Sequence, residues 1–258
     1  NSSKPSLAEV KELLDLKLEQ FAGPEFFIPT DPIQIPHSFS NPADIEIAAL
    51  CSALIAWGQR KSIITNAKKW MGYMDNDPYQ FLTQAKEKDF KPMENFVHRT
   101  LNGLDCTFIS IRLSELIKEY GSIDQFLMTS GPTLKDKIIA IHQFFNNDKC
   151  LARTAKHFAN PAKGSAAKRW VMLFRWMVRP ASSAGADFGI WKCLKPADLM
   201  LPLDVHTKNV SHKLGILARK QQDWKAVEEV SSVLRSFDPT DPAKYDYALF
   251  GLGAFEQF

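Results

Sequence analysis

Apolar residues recur along most of the chain at intervals of three and four, the spacing that gathers them on one face of a helix. In "SLAEVKELLDLKLEQF" Leu7, Val10, Leu13, Leu14 and Leu18 keep that rhythm behind Ser6, with Glu9 three residues on, a capping box. "NPADIEIAALCSALIAW" opens with Asn41 as cap and Pro42 at the first helical position. Its almost unbroken apolar character over 47–57 predicts a central helix buried on most sides. After a break at Gly58, "RKSIITNAKKWMGYM" predicts a partner helix. Further helices are predicted over 103–120, 122–129, 133–147, 165–178, 205–215, 223–236 and 241–256, punctuated by "TSGPT", "ANPAKGS" and "FDPTDPAKY". Strand-like alternation is nearly absent, so the fold class expected is all-α. The Pro-rich stretch 23–40 is expected to be ordered, because its Phe and Ile residues need burial.

Composition narrows the class. With 258 residues, 45% of them apolar and 24% charged, the chain can bury a sizeable core as one large domain or two interlocked lobes. Its apolar runs fall short of the ~20 residues that span a bilayer. "NSSKPSLAEVKELL" lacks the apolar core of a secretory signal, which makes a cytoplasmic location, with no membrane partner, the expectation. Cys51, Cys106, Cys150 and Cys193 form no C-x-x-C pair, so neither zinc nor an iron–sulfur cluster is expected and the thiols read as reduced. Nothing in the pattern demands an oligomer, and a monomer is the default.

Charge is unevenly spread. Between Asn146 and Gln222 there are 14 Lys and Arg against four Asp, a net of +10 that leaves −7 for the rest of a chain whose total is +3. Such a block suits a polyanion site or, equally, a helix surface balanced by acids elsewhere in space.

Two residues inside that block carry chemical interest. In "LPLDVHTKNVSHKLG", residues 201–215, Asp204 stands where a helix N-cap belongs. A capped carboxylate is rigid and stays ionised beside the positive end of the helix, which suits it to steadying a nearby positive charge. In "NPAKGSAAKRWVMLFRWMVRP", residues 160–180, Gly164 and Ser165 stand at the mouth of the predicted helix 165–178, where free amides can hold a phosphate. Lys168 follows about one turn in, at the edge of a strongly apolar helix where desolvation favours a neutral, nucleophilic amine. Most helical lysines instead run their stems out to solvent, and taken alone Lys168 reads that way.

Three segments, in this order, resemble the helix-hairpin-helix DNA glycosylases of base excision repair. "NPADIEIAALCSALIAWGQRKSIITNAKKW" is similar to the early helix pair of that group, and "GSAAKRWVMLFRWMV" to the second hairpin helix with its early lysine. "LPLDVHTKNVSHKLG" resembles the segment that carries the group's essential aspartate, and "YDYALFGLGAFE" resembles the closing helix of adenine glycosylases. The chain also resembles an uncharacterised bacterial family with "LFRWMVR…DFGIW…PLDVHT" runs. "NPAKGSAAK" replaces the group's glycine-rich hairpin, the Lys168-to-Asp204 interval is lengthened by "RPASSAGADFGIWKCLKPADLM", and no C-terminal cysteine cluster is present. The layout is nearest to the archaeal type of 8-oxoguanine glycosylase.

The resemblance implies two helical lobes, one over 41–150 and one over 1–40 plus 151–258, with a DNA-binding cleft between them. It implies excision of a damaged base, an oxidised purine, from double-stranded DNA by a nucleoid-associated enzyme without a cofactor, Lys168 attacking the sugar and Asp204 assisting, with strand nicking by a lyase step. Gly164, Ser165, Lys163, Arg169, His206 and Lys208 then contact DNA, while Trp57, Gln59, Phe188 and Trp191 are candidates to fill the gap or stack on the extruded base. Two other classes stay open: a non-catalytic DNA-binding protein on the same scaffold, and an all-α interaction module. The latter requires Lys168 and Asp204 to lie far apart.

Overall fold

The computed structural model describes residues 5–181, 185–256 and 258, and for Phe27 the backbone alone. Residues 1–4 of the stretch read for a signal, and Ser182, Ser183 and Ala184 of the long interval, lie outside the described residues. The chain is all-α. Its helices are α1 (Leu7–Phe21), α2 (Pro24–Phe27), α3 (Pro42–Leu54), α4 (Arg60–Tyr73), α5 (Pro78–Gln84), α6 (Gly103–Tyr120) and α7 (Ile123–Met128). They continue with α8 (Leu134–Phe145), α9 (Ala152–Ala155), α10 (Lys168–Val178), α11 (Val205–Lys213), α12 (Trp224–Phe237) and α13 (Tyr245–Ala254). A two-stranded antiparallel hairpin, β1 (Val97–His98) with β2 (Leu101–Asn102), turns through Arg99 at φ +54°. Among the described residues no helix is long and apolar enough to cross a membrane.

The chain divides into two compact units. A central unit holds Phe27–Pro132 and Ile139–Ala159; the other holds the chain up to Phe26, Thr133–Ile138 and everything from Asn160 onward. Residues 27–40 and 151–159, assigned by the sequence to the terminal lobe, therefore cluster with the central unit.

In the central unit α3 is buried from Asp44 to Leu54. Its two acids serve other helices. Asp44 Oδ1 accepts from Tyr79 N (2.9 Å) at the start of α5, and Glu46 accepts from Ile123 N (2.9 Å) and Asp124 N (3.4 Å) at the start of α7. Helix α6 starts from a capping box of Asn102 with Asp105. The predicted helix 41–57 stops at Leu54, so Trp57 and Gln59 sit in the turn before α4.

In the terminal unit the core is α13, buried at Tyr245–Leu249, Gly251 and Leu252 and packed on α1 and α11. Gly251 matters because a Cβ there would stand 2.2 Å from the ring of Phe21 on α1. Helix α10 is equally enclosed, with every residue from Trp170 to Val178 buried.

Candidate active site

The start of α10 differs from the expectation. The helix begins at Lys168, three residues later than predicted, because Ala167 takes a left-handed conformation (φ +47°, ψ +36°). Ala167 N donates to Ser165 Oγ (3.1 Å), Gly164 N to Pro161 O (3.0 Å) and Ser165 N to Asn160 O (3.3 Å). Gly164 O accepts from Trp224 N (3.0 Å), which ties the turn to α12. The amides of Gly164 and Ser165 are thus occupied within the turn and do not form the open phosphate cradle that the sequence suggested.

Lys168 is the first residue of α10 and is half-buried. Its side chain folds along the helix, with Nζ 3.5 Å from Met172 Sδ. Positions 168, 172, 175 and 179 follow one another by four, three and four residues and so share one face of α10. That face meets α13 through Arg175, whose Nη1 donates to Asp246 Oδ2 and whose guanidinium lies 4.5 Å from the Tyr247 ring centre.

Asp204 is the N-cap of α11, as its sequence position predicts. Oδ1 accepts from Thr207 N (2.9 Å) and from Thr207 Oγ1 (3.2 Å), while Asp204 N donates to Thr207 Oγ1 (2.9 Å). The cap engages Oδ1 alone, and Asp204 is half-buried. Helix α11 packs on α13 closely: a Cβ at Gly253 would meet His206 Cβ at 3.1 Å and Val210 Cγ2 at 3.2 Å.

Helices α10 and α11 therefore meet the same partner, and their two candidate residues act on one group there. Asp246, on the first turn of α13, is 6% exposed. Burial pushes its carboxyl up to about 6, against the pull of Arg175. The negative charge of Asp204 pushes it further up, and the positive charge of Lys168 pulls it down. Lys168 and Asp204 thus each lie within electrostatic reach of the buried Asp246 carboxylate. Sequence reasoning missed Asp246 and Arg175. The available signal was a lone acid in "YDYALFGLGA" and lone arginines in "WVMLFRWMVR": a charge inside an apolar helix needs an internal partner.

Behind Asp246 runs a buried ionic network. Asp187 Oδ1 accepts from Arg175 Nε (3.2 Å), and its Oδ2 accepts from Arg179 Nη1 (3.1 Å) and from the Tyr247 hydroxyl (2.9 Å). Arg179 Nε also donates to Asp241 (3.0 and 3.1 Å), whose carboxyl burial raises. The Tyr247 hydroxyl accepts from Ala186 N (2.9 Å), and burial raises its phenol too. These bonds, with Phe188 N donating to Trp176 O (2.7 Å) and Trp191 N to Met177 O (2.8 Å), pin the described part of the long interval to the end of α10.

The other candidates are dispersed. Trp191 is 2% exposed and packs edge-on against Phe174 (5.2 Å), so it is a core residue and cannot stack on an extruded base. Phe188 is half-buried. Lys163 and His206 are exposed, Lys208 is half-buried, and His206 borders a surface hollow of about 380 Å³ with Asn209, His212 and Lys213. Arg169 is half-buried, and burial lowers its guanidinium to about 10, still a cation at neutral pH. In the central unit Trp57 stacks on His157 (5.8 Å) and meets His98 edge-on (4.9 Å), while Gln59 is exposed. Part of the basic block is paired with carboxylates: Arg153 with Asp105, the buried Arg175 and Arg179 with the network above, and the half-buried Arg219 with Asp223. Among the described residues no group of three or more His, Cys, Asp or Glu is arranged to hold a metal, and Cys51, Cys106, Cys150 and Cys193 are free thiols.

Residues 31–255 match the model of a protein family described as a protein of unknown function, DUF2400. No curated protein and no solved structure matches the chain.

Proposed function

The chain belongs to the DUF2400 family, and for it we propose a DNA glycosylase activity of base excision repair, with Lys168 as nucleophile and Asp204 as the carboxylate that steadies the reaction. What supports this is that Lys168, at the start of α10, and Asp204, at the head of α11, each act electrostatically on the buried Asp246 carboxylate of α13. Each compact unit then stands for one lobe of such an enzyme.

In the reaction the neutral Lys168 amine attacks C1′ of the extruded nucleotide. The bond from C1′ to the base breaks, its electron pair leaves with the base, and the base takes up the proton that Nζ sheds on bonding to C1′. Positive charge builds on the sugar as that bond stretches, and the rigid Asp204 carboxylate lowers its energy. The ring oxygen leaves C1′ with the bonding pair and takes up a proton as a hydroxyl, giving an iminium on Nζ; removal of a C2′ proton then expels the 3′ phosphate with its electron pair and nicks the strand. The substrate class proposed is an oxidised purine in duplex DNA, following the long Lys168-to-Asp204 interval.

A panel of duplexes bearing single lesions tests this. The wild-type protein should release one class of damaged base and nick the strand, and Lys168→Ala should abolish nicking. Base release that is undiminished in the double variant Lys168→Ala, Asp204→Asn, or no release from any lesion, overturns the proposal.

A further inference from the structure

In the central unit two histidines, an acid and an arginine gather around Trp57, which stands half-buried in the turn between α3 and α4. His157 stacks on the indole (5.8 Å between ring centres, 28° between planes), and His98 meets it edge-on (4.9 Å). The two histidines are held differently. His98, on β1, donates from Nε2 to Trp57 O (3.1 Å) and accepts at Nδ1 from Asn66 Nδ2 (3.0 Å), so a second proton on that ring would face the amide N–H. His157, just past α9 and 6% exposed, brings Nε2 to 3.5 Å from Asp105 Oδ2. The Asp105 carboxylate is fully buried in the first turn of α6. Its Oδ2 accepts from Arg153 Nη1 (2.6 Å) and Asn102 N (2.9 Å), and its Oδ1 from Thr154 Oγ1 (2.6 Å). A carboxylate has room for about four donors, so it can take a bond from His157 as well.

We infer that Asp105, His157 and Trp57 form a proton-operated latch: on taking up a proton, the His157 ring is held as a cation between the Asp105 carboxylate and the indole, joining the end of α9 to the start of α6 and to the α3–α4 turn. Histidine is the side chain whose charge ordinarily changes between about pH 5 and 8. The charged ring gains on both sides. Its hydrogen bond to Asp105 becomes charge-assisted, and a cation within about 6 Å of an indole is attracted to the ring face. Without the proton, Arg153, whose side chain is partly exposed, remains as the cation on that carboxylate. Asp105 from α6 favours the charged ring and Arg153 from α9 opposes it. His98 reaches the indole edge from β1, and His142 on α8 donates from Nδ1 to Phe158 O (2.9 Å). Arg99 lies over Gly58 beside Trp57, where a Cβ would meet its Cδ at 2.8 Å, and Lys156 is exposed. The Cys150 thiol, raised by burial and by Asp105, stays neutral. The latch stands apart from the glycosylase reading and needs no DNA.

The full-length protein is titrated from about pH 5 to 8, where a histidine changes charge, and its tryptophan emission is recorded. Subtracting the emission of Trp57→Phe leaves that of Trp57, since the other five tryptophans are common to both proteins. A protonated imidazole against an indole quenches it, so the Trp57 emission should fall on acidification through a single inflection. His157→Gln should abolish the inflection. Asp105→Asn, which keeps an oxygen for the Asn102 amide, should move it down by about one pH unit, as loss of a charge partner does. Amide exchange over residues 152–158 reads the latch itself: the ratio of wild-type to His157→Gln rates at each pH should be near one at about pH 8 and fall well below one at about pH 5. Should either variant fail to fold, assigned histidine ring spectra of the wild type serve, and the His157 ring should titrate in step with the Trp57 emission. A flat Trp57 emission, an inflection that survives His157→Gln or is unmoved in Asp105→Asn, an exchange ratio that does not change with pH, or a His157 ring that does not titrate overturns the inference.

Discussion

Asp204 commits one oxygen to the backbone, Oδ1 to Thr207, and keeps Oδ2 out of the cap. Capping and chemistry can therefore be separated by substitution. Asn is as good an N-cap as Asp, so Asp204→Asn should hold urea stability within about 0.5 kcal/mol of wild type, whereas Asp204→Ala should lose about 1 kcal/mol. Both should lower base release by about a hundredfold or more, because neither keeps the negative charge. A variant that keeps activity in Asn and loses it in Ala would make Asp204 a cap and nothing else. Asp246 gives a pH test of a different kind. Its carboxyl is raised from 3.8 to about 6 by burial, so the folded protein binds its proton more tightly than the unfolded chain. The stability this contributes is complete below about pH 4 and is lost as pH rises through about 6, at most about 3 kcal/mol. The stability difference between wild type and Asp246→Asn, measured by urea at successive pH values, should therefore move against the wild type across that window. A pH-independent difference would contradict it. Asp204 was legible because a helix cap has a local sequence pattern. Asp246 was not, because its partners on α10 and α11 are distant in sequence and no local pattern names them.

At the scale of elements, the long helices were readable, and where a cap has a local pattern so were their ends: α6 spans the predicted 103–120, and Ser6, Asn41 and Asp204 cap α1, α3 and α11. Periodicity places α1, α6, α10, α12 and α13, since a 3.6-residue repeat needs only the sequence. It misses the late start of α10, which depends on a left-handed Ala167 held by Ser165 Oγ, a conformation that an alanine does not announce. It also misses the short α5 and α9 and the hairpin β1–β2, whose few residues carry too little periodicity to register. The packing of α13 on α1 makes a prediction of its own. Gly251→Ala would push a methyl into the buried Phe21 ring, which should destabilise the protein by about 1–3 kcal/mol. Unchanged thermal and urea unfolding would show that α1 is not seated on α13 as described.

For the whole molecule, the excess of positive charge over residues 146–222 resolves into two populations. Arg153, Arg175, Arg179 and Arg219 are satisfied by carboxylates, whereas Lys149, Lys156 and Lys163 are exposed. Summing charge along a sequence cannot separate them, because Asp105, Asp241 and Asp246 all lie outside the block. Arg179→Met would leave Asp187 and Asp241 without their shared cation, and should cost about 3–5 kcal/mol in urea unfolding, as breaking a buried pair does. A loss under about 1 kcal/mol would mean that solvent reaches that network. The central claim, that Lys168 forms the covalent bond to DNA with Asp204 beside it, is tested most directly by borohydride trapping. The protein is incubated with a duplex carrying one abasic site, reduced, digested and mapped by mass spectrometry. The account predicts a single adduct on the peptide containing Lys168, absent in Lys168→Ala and strongly reduced in Asp204→Asn. An adduct on another lysine, or one of undiminished yield in Lys168→Ala, would contradict it.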